Sequence, residues 1–235
     1  MSDRLVIIIP TYNEKDNIRR LLFALCELMP EARIIVVDDN SPDGTAQAVQ
    51  DFALTHPKVR LLWRQQQEGM ASAYIDAFAR IIPDDTIDYV ATMDADLSHQ
   101  PADLSRLLAH MNNHDLVIGS RYVPTGRVEN WAPWREFISR YGNIYVKWVT
   151  RVPIDDLTAG FVVYSREILG KVLGDVKNRH PYAYQTEMKF LAHRAGARIK
   201  EVPIIFQERA SGKSKLKQSA IFEALFFPWY LKLFK

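Results

Sequence analysis

Hydrophobic positions recur in a fixed order along the first half of the chain. Residues 5–9 are an unbroken aliphatic run, the pattern of a strand buried on both faces of a parallel sheet. Residues 17–29 then place Ile18, Leu21, Leu22, Leu25 and Leu28 at helical spacing. The alternation continues with strands at 34–37, 59–63, 89–93 and 116–119, and helices near 46–54, 69–82 and 101–111. Strand and helix in this order predict an α/β fold with a mostly parallel central sheet flanked by helices. Beyond Arg121 the pattern loosens. Residues 162–164 and 201–206 read as further strands, and 185–195 as a helix.

Polar clusters close the first, second and fourth strands. They are Asn13 with Glu14, Asp38 with Asp39, and Asp94 with Asp96. In a parallel sheet these turns share one edge, where ligands sit. Three acidic turns at one edge repel each other unless a cation or a hydrogen-bonding ligand joins them.

Composition narrows the picture. A chain of 235 residues is ample for one large core, with at most a short appendage. The expected division is a catalytic domain over 1–208 and a basic loop with an amphipathic tail over 209–235. A net charge of +2 does not point to nucleic acid. The single cysteine, Cys26, permits no intrachain disulfide and suggests a reducing, cytosolic setting. The N-terminus lacks a signal-peptide layout, and no stretch of about 20 apolar residues spans a bilayer. Residues 224–231 are apolar and follow lysines. This segment suits an interfacial helix kinked at Pro228, although packing as an ordinary last helix would also use it.

Asp94-Ala95-Asp96 carries the chemistry. Two carboxylates two positions apart at a strand end can face one cavity, and hard oxygen ligands suit Mg²⁺ or Mn²⁺ bound to a diphosphate. An isolated Asp-x-Asp is also compatible with a solvated loop and a helix cap. Its place after a buried strand, with Asp39 at the same edge, favours the metal. Asp39 can accept from a nucleoside, while Asp43 or Thr45 caps the following helix. Arg121, Arg135, Arg209 and Lys215 are candidate phosphate partners. His99 either completes a metal shell or decorates the loop. Trp131 and Trp134 are either exposed aromatics or core.

Taken together, these residues resemble the dolichyl- or polyprenyl-phosphate mannose synthases, inverting glycosyltransferases of the GT-A fold. The carriers are Pro10-Thr11-Tyr12-Asn13-Glu14, residues 36–45, Met93–His99, Gly119-Ser120-Arg121-Tyr122, Val128-Glu129-Asn130-Trp131 and residues 209–216. The resemblance implies that Pro10, Tyr12, Glu14 and Asp39 contact the nucleoside, with Asp94 and Ala95 beside the rest of the nucleotide-sugar. It implies Asp94, Asp96 and Ser98 at the metal, with Asp96 catalytic. Arg121 and Arg135 would hold phosphates, Arg209 and Lys215 would close over the acceptor phosphate, and Gln185 with Glu187 would lie near the sugar pocket. The implied partners are GDP-mannose, a polyprenyl phosphate and the cytoplasmic face of a membrane, met peripherally.

Three departures stand out. Ser98 replaces a glutamine found in some members. Residues 65–70 lack the usual basic residue before Gly69. The sequence also stops where many members continue into transmembrane helices, which leaves room for a separate membrane partner. An anionic acceptor needs no general base, so Asp156, placed where a base lies in relatives acting on hydroxyls, is assigned to binding or structure. The rival readings are a UDP-glucose donor and a sugar-hydroxyl acceptor.

Overall fold

The computed structural model describes residues 2–176, 181–208 and 218–235. The first half follows the predicted alternation: β1 (Leu5–Thr11), α1 (Lys15–Leu28), β2 (Arg33–Asp38), α2 (Thr45–Ala53), β3 (Val59–Trp63), α3 (Met70–Ile81), β4 (Tyr89–Thr92), α4 (Pro101–Leu108) and β5 (Leu116–Ser120). The second half adds β6 (Arg127–Glu129), α5 (Pro133–Thr150), β7 (Val162–Ser165), α6 (Arg166–Leu173), α7 (Pro181–Arg194), β8 (Ile199–Pro203), β9 (Ile205–Gln207) and α8 (Gln218–Phe234).

The main sheet has seven strands in the order β3-β2-β1-β4-β7-β5-β8, and β6 pairs with β9 in a separate ribbon. Alternation along β1 explains how the sheet is buried on both sides. Val6 and Ile8 join one apolar cluster with α3 and α7, while Leu5, Ile7 and Ile9 join another with α1 and α4. Pro101 at the first turn of α4 suits a position whose N–H has no helical partner.

Several expectations change in detail. Leu28 is 46% exposed, so the inner face of α1 ends at Leu25. β7 runs antiparallel between β4 and β5, so the fourth and fifth strands are not neighbours. Residues 201–206 divide between the two sheets at Ile204. α5 and α6 were not among the predicted helices, although α6 buries Ile168, Leu169 and Val172 on one face. The outer face of α5 is itself apolar, which hides the amphipathic signal.

α8 packs on the body rather than extending from it. Phe227 and Leu231 enter the main core, and Pro228 lies inside a helix that continues to Phe234. Trp229 Nε1 donates to the Tyr145 hydroxyl at 2.9 Å, which donates to the Leu225 carbonyl at 2.7 Å. Lys235 Nζ donates to the Asp175 carbonyl and stands 3.7 Å from buried Glu187. Among the described residues, no helix is long and apolar enough to cross a membrane.

Candidate active site

The carboxyl ends of β1, β2, β4 and β5 open on one cleft of about 460 Å³. Its walls include Pro10, Tyr12, Glu14, Asp39, Asp94, Ala95, Asp96, Arg121, Arg135 and Gln185, residues drawn from six separate stretches of sequence. Ser98 is not among the lining residues. Arg209 and Lys215, expected over the acceptor, lie outside the described residues.

The turns that bring these side chains together share a backbone device. Asn13, Asn40 and Leu97 follow β1, β2 and β4, and all adopt left-handed φ values of 61°, 60° and 62°. That conformation is tolerable for asparagine and costly for leucine, so Leu97 marks local strain at the acidic turn. Side-chain bonds hold each turn. Asp38 accepts from Thr11 Oγ1 at 2.9 Å and from Ser41 Oγ and N at 2.6 and 2.9 Å. Asp43 accepts from Thr45 N at 2.9 Å and Lys15 N at 3.1 Å, so it serves the starts of both α1 and α2.

Asp39 also works inward. It accepts from Arg64 Nη1 at 2.8 Å and from the main-chain N–H groups of Glu68 and Gly69 at 3.1 and 2.6 Å. Its oxygens thus pin the loop that forms one cleft wall. Buried Arg64 is the hub of that wall and also meets Glu68, Ser72 and Asp76. Sequence reading missed it, because a lone arginine after a strand resembles any surface charge.

Asp94 and Asp96 occupy the middle of the cleft. Ser98 N donates to Asp96 Oδ1 at 3.1 Å, and Asp94 N donates to His99 Nδ1 at 3.2 Å. His99 is buried, stacks on Phe161 at 5.0 Å and meets Phe206 edge-on at 5.3 Å. Burial pushes its pKa down against the pull of Asp94 and Asp96, so its ring is a neutral brace for the turn. Among the described residues, no group of three His, Cys, Asp or Glu side chains is gathered for a metal. The donor set is two carboxylates, with a buried Ser98 hydroxyl that has no hydrogen-bond partner among the described residues. Such a set fits a hard cation that takes its remaining oxygens from phosphate and water.

The opposite wall is cationic and aromatic. Arg121 Nε and Nη2 donate to the two oxygens of Asp156 at 2.8 and 2.7 Å, and its N–H donates to the same carboxylate at 3.0 Å. Asp156 is 0% exposed. Burial raises its pKa, but Arg121 outweighs burial and holds the carboxyl below its ordinary value. Arg135 lies over the Trp131 ring at 4.1 Å and donates to Glu208 at 3.0 Å, while Arg121 approaches the same ring at 5.8 Å. The indole therefore spaces two guanidinium groups along the wall. Trp134 is 62% exposed and does not line the cleft.

Glycines admit the close approaches this requires. A Cβ at Gly126 would stand 2.6 Å from the Ser120 carbonyl, where Arg121 leaves β5. Sequence reading also missed Lys189, which sits fully buried on α7 behind Gln185. Its signal was a charge inside an otherwise apolar stretch of a helix, at Met188–Leu191.

Comparison with known proteins places this architecture. The model of Glycosyl transferase family 2 matches residues 6–173. An undecaprenyl-phosphate mannosyltransferase from Micrococcus luteus is 40% identical over 222 residues, covering 94% of this chain and 91% of that protein. A polyprenol monophosphomannose synthase from Mycolicibacterium smegmatis is 40% identical over 228 residues, 96% of this chain and 85% of that one. A dolichol-phosphate mannosyltransferase from Pyrococcus furiosus is 36% identical, with 93% and 61% covered. Among solved structures, a glucosyl-3-phosphoglycerate synthase from Mycobacterium tuberculosis in complex with Mn²⁺, UDP-glucose and phosphoglyceric acid has a TM-score of 0.67 at 17% identity, covering 96% of this chain and 79% of that one. The fold is GT-A.

Proposed function

This chain belongs to glycosyl transferase family 2, and from that premise we propose that it transfers mannose from GDP-mannose to a polyprenyl phosphate, with inversion at the sugar carbon. The mannosyltransferase names of its relatives support the reaction class. One observation favours a phosphate acceptor over a sugar hydroxyl. Asp156, the carboxylate placed to be a base, is sealed from solvent with both oxygens committed to Arg121. A transferase acting on a hydroxyl needs a carboxylate able to take a proton, whereas an anionic phosphate attacks without one.

The proposed step is an in-line displacement. An acceptor phosphate oxygen forms a bond to the sugar C1, the bond from C1 to the diphosphate oxygen breaks, and its electron pair leaves with GDP. The product is a β-linked mannosyl phosphate. Asp94 and Asp96 would hold Mg²⁺ or Mn²⁺, which supplies positive charge to the departing diphosphate. Arg121 and Arg135 present fixed positive charge to the phosphates, and their spacing on Trp131 orients them in advance. Tyr12, Glu14 and the wall pinned by Asp39 would receive the nucleoside.

The lipid would be met at a membrane surface, on its cytoplasmic side. α5 starts beside the cleft at Arg135 and exposes Trp134, Phe137, Ile138, Tyr141, Ile144 and Trp148, each more than half accessible. α8 extends that face, with Trp229 against Trp148 at 6.2 Å and Phe226 and Leu233 exposed. An apolar face of this size beside basic side chains suits a peripheral seat on lipid.

The test is a transfer assay with short-chain polyprenyl phosphate, Mg²⁺ or Mn²⁺, and GDP-mannose and UDP-glucose in parallel. Lipid-linked mannose from GDP-mannose, lost with EDTA, is the expected result. Product from UDP-glucose alone would move the donor, and transfer to a free sugar instead would overturn the acceptor. Activity that appears only with added membrane extract would indicate a separate membrane partner.

A further inference from the structure

Behind the cleft, α7 carries a lysine that the reaction above does not use. Lys189 is 0% exposed. Its Nζ donates to the carbonyl of Ala159 at 2.7 Å, to the carbonyl of Gln185 at 3.2 Å and, more weakly, to Gln185 Oε1 at 3.4 Å. Ala159 and Gln185 both line the cleft. Gln185 is itself only 3% exposed, and its Nε2 has no hydrogen-bond partner among the described residues. An ammonium group has donors and no acceptor, so the amide must offer it oxygen. The NH₂ end is then fixed facing away from Lys189. A buried donor with no protein partner is unfavourable unless a ligand oxygen completes it.

We propose that Lys189 is a positioning residue for the sugar half of the donor: it holds Gln185 Oε1 and the Ala159 carbonyl, and so presents Gln185 Nε2 to a sugar hydroxyl in the cleft. The inference rests on the nucleotide-sugar reading given above. It adds a residue that never touches the ligand and acts through one that does.

Protonation enters because the orientation depends on an ammonium. The charged groups facing Lys189 are Asp156 in the loop after α5, Arg121 at the end of β5 and Glu201 on β8. Burial lowers the amine to about 7, with Asp156 opposing that shift, Arg121 adding to it and Glu201 opposing it. Below that pH the ammonium holds the amide oxygen. Above it the neutral amine gains a lone pair, which accepts an amide N–H equally well, and the fixed orientation is lost.

The test measures binding of GDP-mannose and of GDP by calorimetry. Their ratio carries the sugar and the charge of the GDP terminal phosphate, and at fixed pH the second is the same for every variant. Lys189→Met is expected to weaken GDP-mannose about tenfold and to leave GDP within about twofold, the size expected for one charge-assisted hydrogen-bond arrangement. In a Gln185→Ala background the same change should cost less than about twofold, because the group it orients is gone. Equal loss for both ligands, or full additivity with Gln185→Ala, overturns the proposal. If Lys189→Met does not fold, the pH profile decides. The wild-type ratio should fall several-fold more between pH 6 and 8 than that of Gln185→Ala, whose remaining slope comes from ionisation of the GDP terminal phosphate. Equal slopes in the wild type and Gln185→Ala overturn it. A wild-type protein that binds neither GDP-mannose nor GDP would instead remove the donor reading itself.

Discussion

On the β1–β2 side of the cleft, Asp38 and Asp39 accept hydrogen bonds from Thr11, Ser41, Arg64, Glu68 and Gly69. On the β5–α7 side, Gln185 Nε2 and Trp131 Nε1 are buried without a hydrogen-bond partner among the described residues. The first uses its polar groups to build a wall, and the second leaves donors for something that is not protein. A buried polar group with internal partners supports the shape of a site, and one that lines the cleft without them is placed for a ligand contact.

The difference can be broken at its centre first. Asp96→Ala should lower kcat by about a thousandfold or more, with an unchanged near-ultraviolet circular dichroism spectrum, because transition-state charge is affected and packing is not. Retained turnover would detach the acidic turn from the chemistry.

Asp156→Ala should act on folding. It strands Arg121, which is 9% exposed in the pair, and a broken buried pair costs about 3–5 kcal/mol in denaturant melts. Adding Arg121→Met should recover part of that stability without recovering activity.

Asp39→Ala probes the wall. Its partner Arg64 is 8% exposed, so a loss of about 3 kcal/mol is expected, with weaker nucleotide binding as its consequence. Gln185→Ala is the contrast on the other side. Its melting temperature should stay within a few degrees while GDP-mannose binding weakens about tenfold. If Asp39→Ala proved stable and Gln185→Ala unstable, the comparison would be reversed.

The smallest effect is expected outside the cleft. Trp148→Glu should weaken partition onto anionic phospholipid vesicles several-fold and leave turnover of a water-soluble short-chain acceptor unchanged.

The chain itself determined the βαβ half of the molecule and its acidic turns. The aliphatic run of β1 can only be buried on both faces, and left-handed turns after β1 and β2 fall on asparagines that tolerate them. Twelve of the candidate residues singled out in the sequence, His99 and Trp131 among them, line one cleft, because parallel strands put all their carboxyl ends at one edge. Tertiary structure decided the rest. Nothing in the period of β7 reveals that it runs antiparallel between β4 and β5, since direction and neighbour depend on contacts distant in sequence. Nor could local pattern tell that Arg121 is bound by a carboxylate 35 residues away, that Asp39 faces Arg64, or that Lys189 turns inward behind Gln185. A charged residue's role depends on which partner replaces water around it, and that partner is known only once the chain has folded.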